Sequence, residues 1–159
     1  MMHNPDVAAF FRALGAGTLI GGVPWLIVTV PFGLGFFAYG EIGGGVTVIA
    51  MPLVVAGVVT LLAMTVFGLP LTAFLAEHGE ECPRRYELAG AVSGFCIPLT
   101  VLIATSDISV LAQGFAYLFA ANGALAGFAA AASWGRYRQR RATPAAEVDT
   151  PNPIHDLLF

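Results

Sequence analysis

The side chains best equipped for chemistry crowd into one short stretch. Between positions 77 and 87, Glu77, His78, Glu80, Glu81, Cys82 and Glu87 supply six carboxylate, imidazole or thiol groups in eleven residues. Glu77, His78, Glu80, Glu81 and Cys82 carry donor types that a divalent cation takes. Their spacing follows no zinc pattern, however, and a loop this short offers little second layer to orient ligands. The expectation is a solvated turn with no metal site, in which Arg84 and Arg85 sit at headgroup level and Glu80, Glu81, Arg84 and Arg85 form a candidate docking surface for a cytoplasmic partner.

Within that stretch, Glu80 and Glu81 with Arg85 resemble the E-E-x-x-x-R element of the membrane-embedded CAAX-protease and bacteriocin-processing family. The resemblance covers six residues. That family's histidine motifs follow on later helices, and here no histidine lies between His78 and His155. The glutamates therefore lack partners for activating a water on a peptide carbonyl, and no site is carried over. No catalytic residue and no cofactor is assigned.

His3, His78 and His155 all lie outside the apolar segments, whereas a bis-histidine haem needs imidazoles within them. Cys82 and Cys96 stand 14 positions apart, a separation of roughly 20 Å along one helix, which excludes an intrachain disulfide there. No C-x-x-C pair is present to act as a redox dithiol. All seven basic residues are arginines set against ten acidic residues, so there is no basic face for nucleic acid.

The elements that must position these groups are marked by where charge is absent. The chain of 159 residues is 57% hydrophobic and 11% charged, with a mean hydropathy of +0.79. That is too little charge to solvate a globular surface. Charge-free runs cover 13–40, 42–76, 88–106 and 108–135. Each reaches the ~17–25 residues that cross a hydrocarbon core about 30 Å thick. None alternates as barrel strands do, so the spans are helices.

The predicted fold is all-α, an integral membrane four-helix bundle. It forms a single transmembrane domain, 1–135, with spans at roughly 13–39, 46–76, 86–105 and 108–134. A basic juxtamembrane segment and disordered tail occupy 136–159, and Gly43-Gly44-Gly45 reads as loop. Asn4-Pro5-Asp6 reads as a helix start, Pro24 and Pro31 as bends in the first span, and Gly68 with Pro70 as a kink in the second. With four spans, Arg12, Arg84, Arg85, Arg136, Arg138, Arg140 and Arg141 share one side, and the loops around Glu41 and Asp107 contain no arginine. The positive-inside rule makes that side the cytoplasm, so both termini are expected inside. Absence of lysine together with abundant alanine and glycine points to a bacterial inner membrane.

Helical periodicity then separates faces. On the third span Ala89, Ser93, Cys96, Thr100 and Ala104 form a stripe about 60° wide, opposite Val92, Phe95, Leu99 and Ile103. On the fourth, Gln113, Ala116, Ala120, Gly123, Gly127 and Ala131 oppose Phe115, Leu118, Leu125 and Asn122. Ser93, Cys96, Thr100, Gln113 and Asn122 are thus candidates for helix packing or for lining a path. Gln113 and Asn122 are about 180° apart and cannot line the same one. Asn122 is predicted either to face another helix or a second copy, or to hydrogen-bond within its own bundle. Pairs of the G-x-x-x-G type at Gly17/Gly21, Gly90/Gly94 and Gly123/Gly127 are too common among 19 glycines to specify packing.

No acidic or basic residue lies deep in any span, which disfavours ion-coupled antiport. The resulting expectation is a small non-enzymatic accessory or interaction subunit, whose partners are the lipid bilayer and either further copies of itself or another membrane protein. The alternative is a small oligomeric channel or facilitator for a neutral solute.

Overall fold

The first helix begins where proline is tolerated, because the opening turn of a helix has no use for the missing N–H. In a computed structural model, which describes residues 5–79, 82–105 and 110–142, α1 runs from Pro5 to Ala38 with Asp6 in its first turn. It continues through both Pro24 and Pro31. Gly40 ends it at φ +82°, a left-handed conformation that costs a glycine little. The amides of Gly40 and Glu41 turn back onto the carbonyls of Phe37 and Phe36, at 3.0 Å each, and so satisfy two of the orphan acceptors of the last turn.

The second span starts at once. Helix α2 covers Ile42–Ala63 and contains the glycine triplet as its first turn, which corrects the expectation of a loop there. The reason is packing. Gly45 lies against Gly33 and the Phe37 ring of α1, too close for any side chain, so this glycine serves contact and not flexibility.

A π-helical turn, Met64–Gly68, then leads into α3, Leu69–Glu77. Pro70 explains its position, since the carbonyl one turn earlier, at Val66, loses its usual donor and the ladder must shift. The expected irregularity at Gly68 and Pro70 is present. Gly79, at φ +65°, closes α3 much as Gly40 closes α1, its amide reaching the Ala76 carbonyl at 3.3 Å.

Helix α4 spans Pro83–Thr105 and α5 spans Val110–Ala142. Two expected boundaries move. Positions 83–87 are the opening turns of α4 and not part of a loop, and the basic cluster 136–141 continues α5. Residues 143–159 lie outside the described residues, so the expected disordered tail falls there.

The helices α1, α2 with α3, α4 and α5 provide four segments long and apolar enough to cross a membrane, and the fold is an all-helical four-span bundle. Antiparallel α1 and α5 form its middle. Helix α2 packs on the outer side of α1, and α4 on the outer side of α5. At one end all of them converge on a cluster of Ala9 and Ala13 from α1, Leu75 from α3, Tyr86 from α4 and Trp134 from α5. Most other large apolar side chains face outward, among them Ile27, Val54, Val92 and Leu118, as expected of surfaces solvated by acyl chains. The chain is a small multi-pass membrane protein.

Candidate functional site

The arrangement is governed by α5, which presents two different faces to two neighbours. Toward α4 it offers backbone. Gly127 meets Gly90 and Gly123 meets Gly94, with carbonyl oxygens so near the facing α-carbons that a methyl on any of the four would overlap backbone atoms. Such approach brings Cα–H groups against carbonyls and maximises dispersion, the attraction left to helices once lipid removes the hydrophobic drive. Pro98, four residues after Gly94, deprives the Gly94 carbonyl of its helical donor, and that carbonyl faces Gly123.

Toward α1 the same helix offers alanine, one amide and aromatic rings. A methyl on Gly17 would lie 2.7 Å from Thr60 Cγ2 and 3.0 Å from Ala130 Cβ, so three helices meet at that glycine. One turn on, Asn122 Nδ2 donates to the Gly21 carbonyl at 2.7 Å. The acceptor lies one residue past Ile20, whose carbonyl Pro24 leaves without its helical donor. Further along, Trp25 and Phe119 stack with centroids 4.3 Å apart and planes 17° from parallel.

The end cluster is tied by polar contacts among aromatic groups. Trp134 Nε1 donates to the Thr72 hydroxyl at 2.9 Å, joining α5 to α3, while that hydroxyl donates to the Gly68 carbonyl at 2.8 Å. The Tyr137 hydroxyl donates to Asp6 at 2.6 Å and Arg141 reaches the same carboxylate at 3.0 Å. That ion pair is about half exposed and contributes little by itself. Its geometry nevertheless fixes the start of α1 beside the end of α5.

Compared with known protein families, characterised proteins and solved structures, the chain matches none. What it can do must therefore be read from where the predicted residues fall.

On α4, Ser93 is half-buried and donates to the Gly90 carbonyl at 3.2 Å. Cys96 and Thr100 are exposed, and the Thr100 hydroxyl donates to the Cys96 carbonyl at 2.8 Å. The packed row is Tyr86, Gly90, Gly94 and Pro98, rotated from the small polar stripe toward its glycine edge. Gln113 lies in α5 with its side chain outside the described residues. Asn122 faces α1 within the same chain, which realises the intrachain alternative. The two faces of α5 are both used, one by α4 and one by α1.

Of the expected docking group, Arg84 and Arg85 are exposed in the first turn of α4, and Glu80 and Glu81 lie outside the described residues. His78 caps α3, its Nδ1 donating to the Phe74 carbonyl at 2.8 Å while its ring packs on Phe74. Among the described residues, no three histidine, cysteine or acidic side chains come together as a metal site would require.

Sequence reasoning missed Tyr86, Trp134 and Thr72. Tyr86 looked like part of a charged loop, yet only 2% of it is exposed. The signal available was an aromatic residue one turn into a segment opened by Pro83.

Proposed function

We propose that this chain is a non-enzymatic accessory or interaction subunit of a bacterial inner membrane, with the arginine-bearing end of its bundle in the cytoplasm. The observation that carries the reading is the closed glycine seam of α4 on α5, with α1 sealed against α5 by Gly17, Gly21 and Asn122. Helices joined backbone to backbone leave no lumen along those seams, so the chemistry on offer is that of outer surfaces. The outer faces of α2 and α4 are broad and apolar, suited to lipid or to another membrane helix. All seven arginines belong to the end that holds Trp134 and Tyr86, which supports the orientation through the positive-inside rule.

A second reading, an oligomeric channel or facilitator for a neutral solute, draws on the exposure of Cys96 and Thr100. These residues could line a path only between copies. The Thr100 hydroxyl is already satisfied by its own helix, so that face needs no polar neighbour.

Purification from native membranes in mild detergent tests the two readings. A distinct membrane protein recovered in fixed ratio, with a photoreactive group at Val58 on α2 crosslinking to it, is the expected result. Recovery of the chain alone as a closed oligomer that passes neutral solutes in liposomes would overturn it.

A further inference from the structure

Between the outer edges of α1 and α5, near the arginine-bearing end, runs a groove of about 550 Å³. Its two polar corners are Arg12 and Arg136, with Ser133 one turn before Arg136, and its apolar walls are Ile20, Leu125 and Phe128. Both arginines are exposed, and neither meets a carboxylate among the described residues. They come from positions 124 apart in sequence yet line one groove. The contacts Asp6 to Tyr137 and Phe10 to Trp134 set the register of antiparallel α1 and α5, and that register sets Arg12 about one helical turn further along the groove than Arg136, both lining it.

The remaining dimensions identify the occupant. From Arg136 to Leu125 the groove follows eleven residues of helix, about 16 Å at 1.5 Å per residue, which matches one leaflet of a hydrocarbon core about 30 Å thick. A paired positive charge at one end of an apolar track of leaflet depth complements a molecule with a phosphate at one end and an acyl chain behind it. Guanidinium groups bind phosphate oxygens through forked, charge-assisted hydrogen bonds. We propose that this groove is a binding site for one anionic glycerophospholipid, its headgroup phosphate held between Arg12 and Arg136 and one acyl chain lying along Ile20, Leu125 and Phe128. The site rests on the four-span fold alone and not on the accessory role or the orientation.

A lipid held here would bridge α1 and α5, the two helices at the centre of the bundle, and so couple the packing of the protein to the anionic content of its leaflet. Diffuse attraction to an anionic surface predicts something different, because every arginine at that end would then count alike.

Native mass spectrometry of the full chain from phosphatidylcholine nanodiscs doped with phosphatidylglycerol separates the two. The wild type is expected to retain one phosphatidylglycerol in preference to phosphatidylcholine. The double variant Arg12→Gln/Arg136→Gln should lose roughly tenfold or more in apparent affinity, and Arg84→Gln/Arg140→Gln, which removes the same charge away from the groove, should stay within about twofold. Ala129→Leu, which narrows the apolar track while keeping every charge, should also weaken retention and keeps the test open if the arginine variant fails to fold. Equal losses in the two double variants, or undiminished retention in Ala129→Leu, would overturn the site.

Discussion

At the scale of single residues, the contacts that hold the bundle are a few polar groups satisfied across helices and a few positions where a side chain is absent. Asn122 is the clearest of the first kind. An amide buried in an apolar span is unfavourable unless bonded, and its donor is the half that is used. Asn122→Ala is expected to lower stability by about 0.5–1.5 kcal/mol, the range measured for interhelical hydrogen bonds in membranes, in reversible unfolding from mixed micelles. Asn122→Leu keeps the bulk but offers no donor to the Gly21 carbonyl, and it should cost about as much. If neither substitution lowered stability in that assay, the hydrogen bond would not be contributing. Glycine gives a paired test. Gly94→Ala drives a methyl into the Gly123 backbone and should cost roughly 1–3 kcal/mol, whereas Gly35→Ala meets nothing within 4 Å and should be neutral or stabilising by up to about 1 kcal/mol. Equal effects of the two substitutions would contradict the close seam.

At the scale of elements, long charge-free runs made the four helices legible, because lipid leaves a spanning segment no other way to satisfy its backbone. Prolines and glycines marked the irregular points. The break near Gly68 and Pro70 is where proline chemistry puts it, and Asn122 pairs within the bundle as one of its two readings required. What sequence could not supply was which helix faces which. The stripe of Ser93, Cys96 and Thr100 and the row of Gly90 and Gly94 lie close together on α4, and hydropathy alone cannot choose between small polar and smaller apolar neighbours. The choice falls to geometry, since only glycine on both partners allows backbone contact. The start of α2 at Gly43 to Gly45 was misread for a related reason, since Gly45 serves close approach to Gly33 and Phe37 where flexibility is the commoner use of glycine. Trp134 and Thr72 join α5 to α3 across 62 positions, beyond any local pattern. A double-mutant cycle between Trp134→Phe and Thr72→Val should return a coupling of roughly 0.5–1.5 kcal/mol in the same unfolding assay, and a coupling near zero would mean that α3 docks without that hydrogen bond.

At the scale of the whole molecule, the account rests on one asymmetry. The aromatic cluster, the Asp6 contacts and all seven arginines gather at one end of the bundle, while the turn of Gly40 and Glu41 lies at the other. The positive-inside rule, by which the orientation is proposed, puts the arginine end of such a molecule in the cytoplasm. The most direct measurement is labelling of intact cells with a membrane-impermeant maleimide. Gly43→Cys, at a position with open space around it near the arginine-free turn, should react from outside, and the exposed native Cys82 should react only after permeabilisation. Labelling of Cys82 in intact cells with Gly43→Cys protected would invert the orientation, and labelling of both would contradict the four-span fold itself.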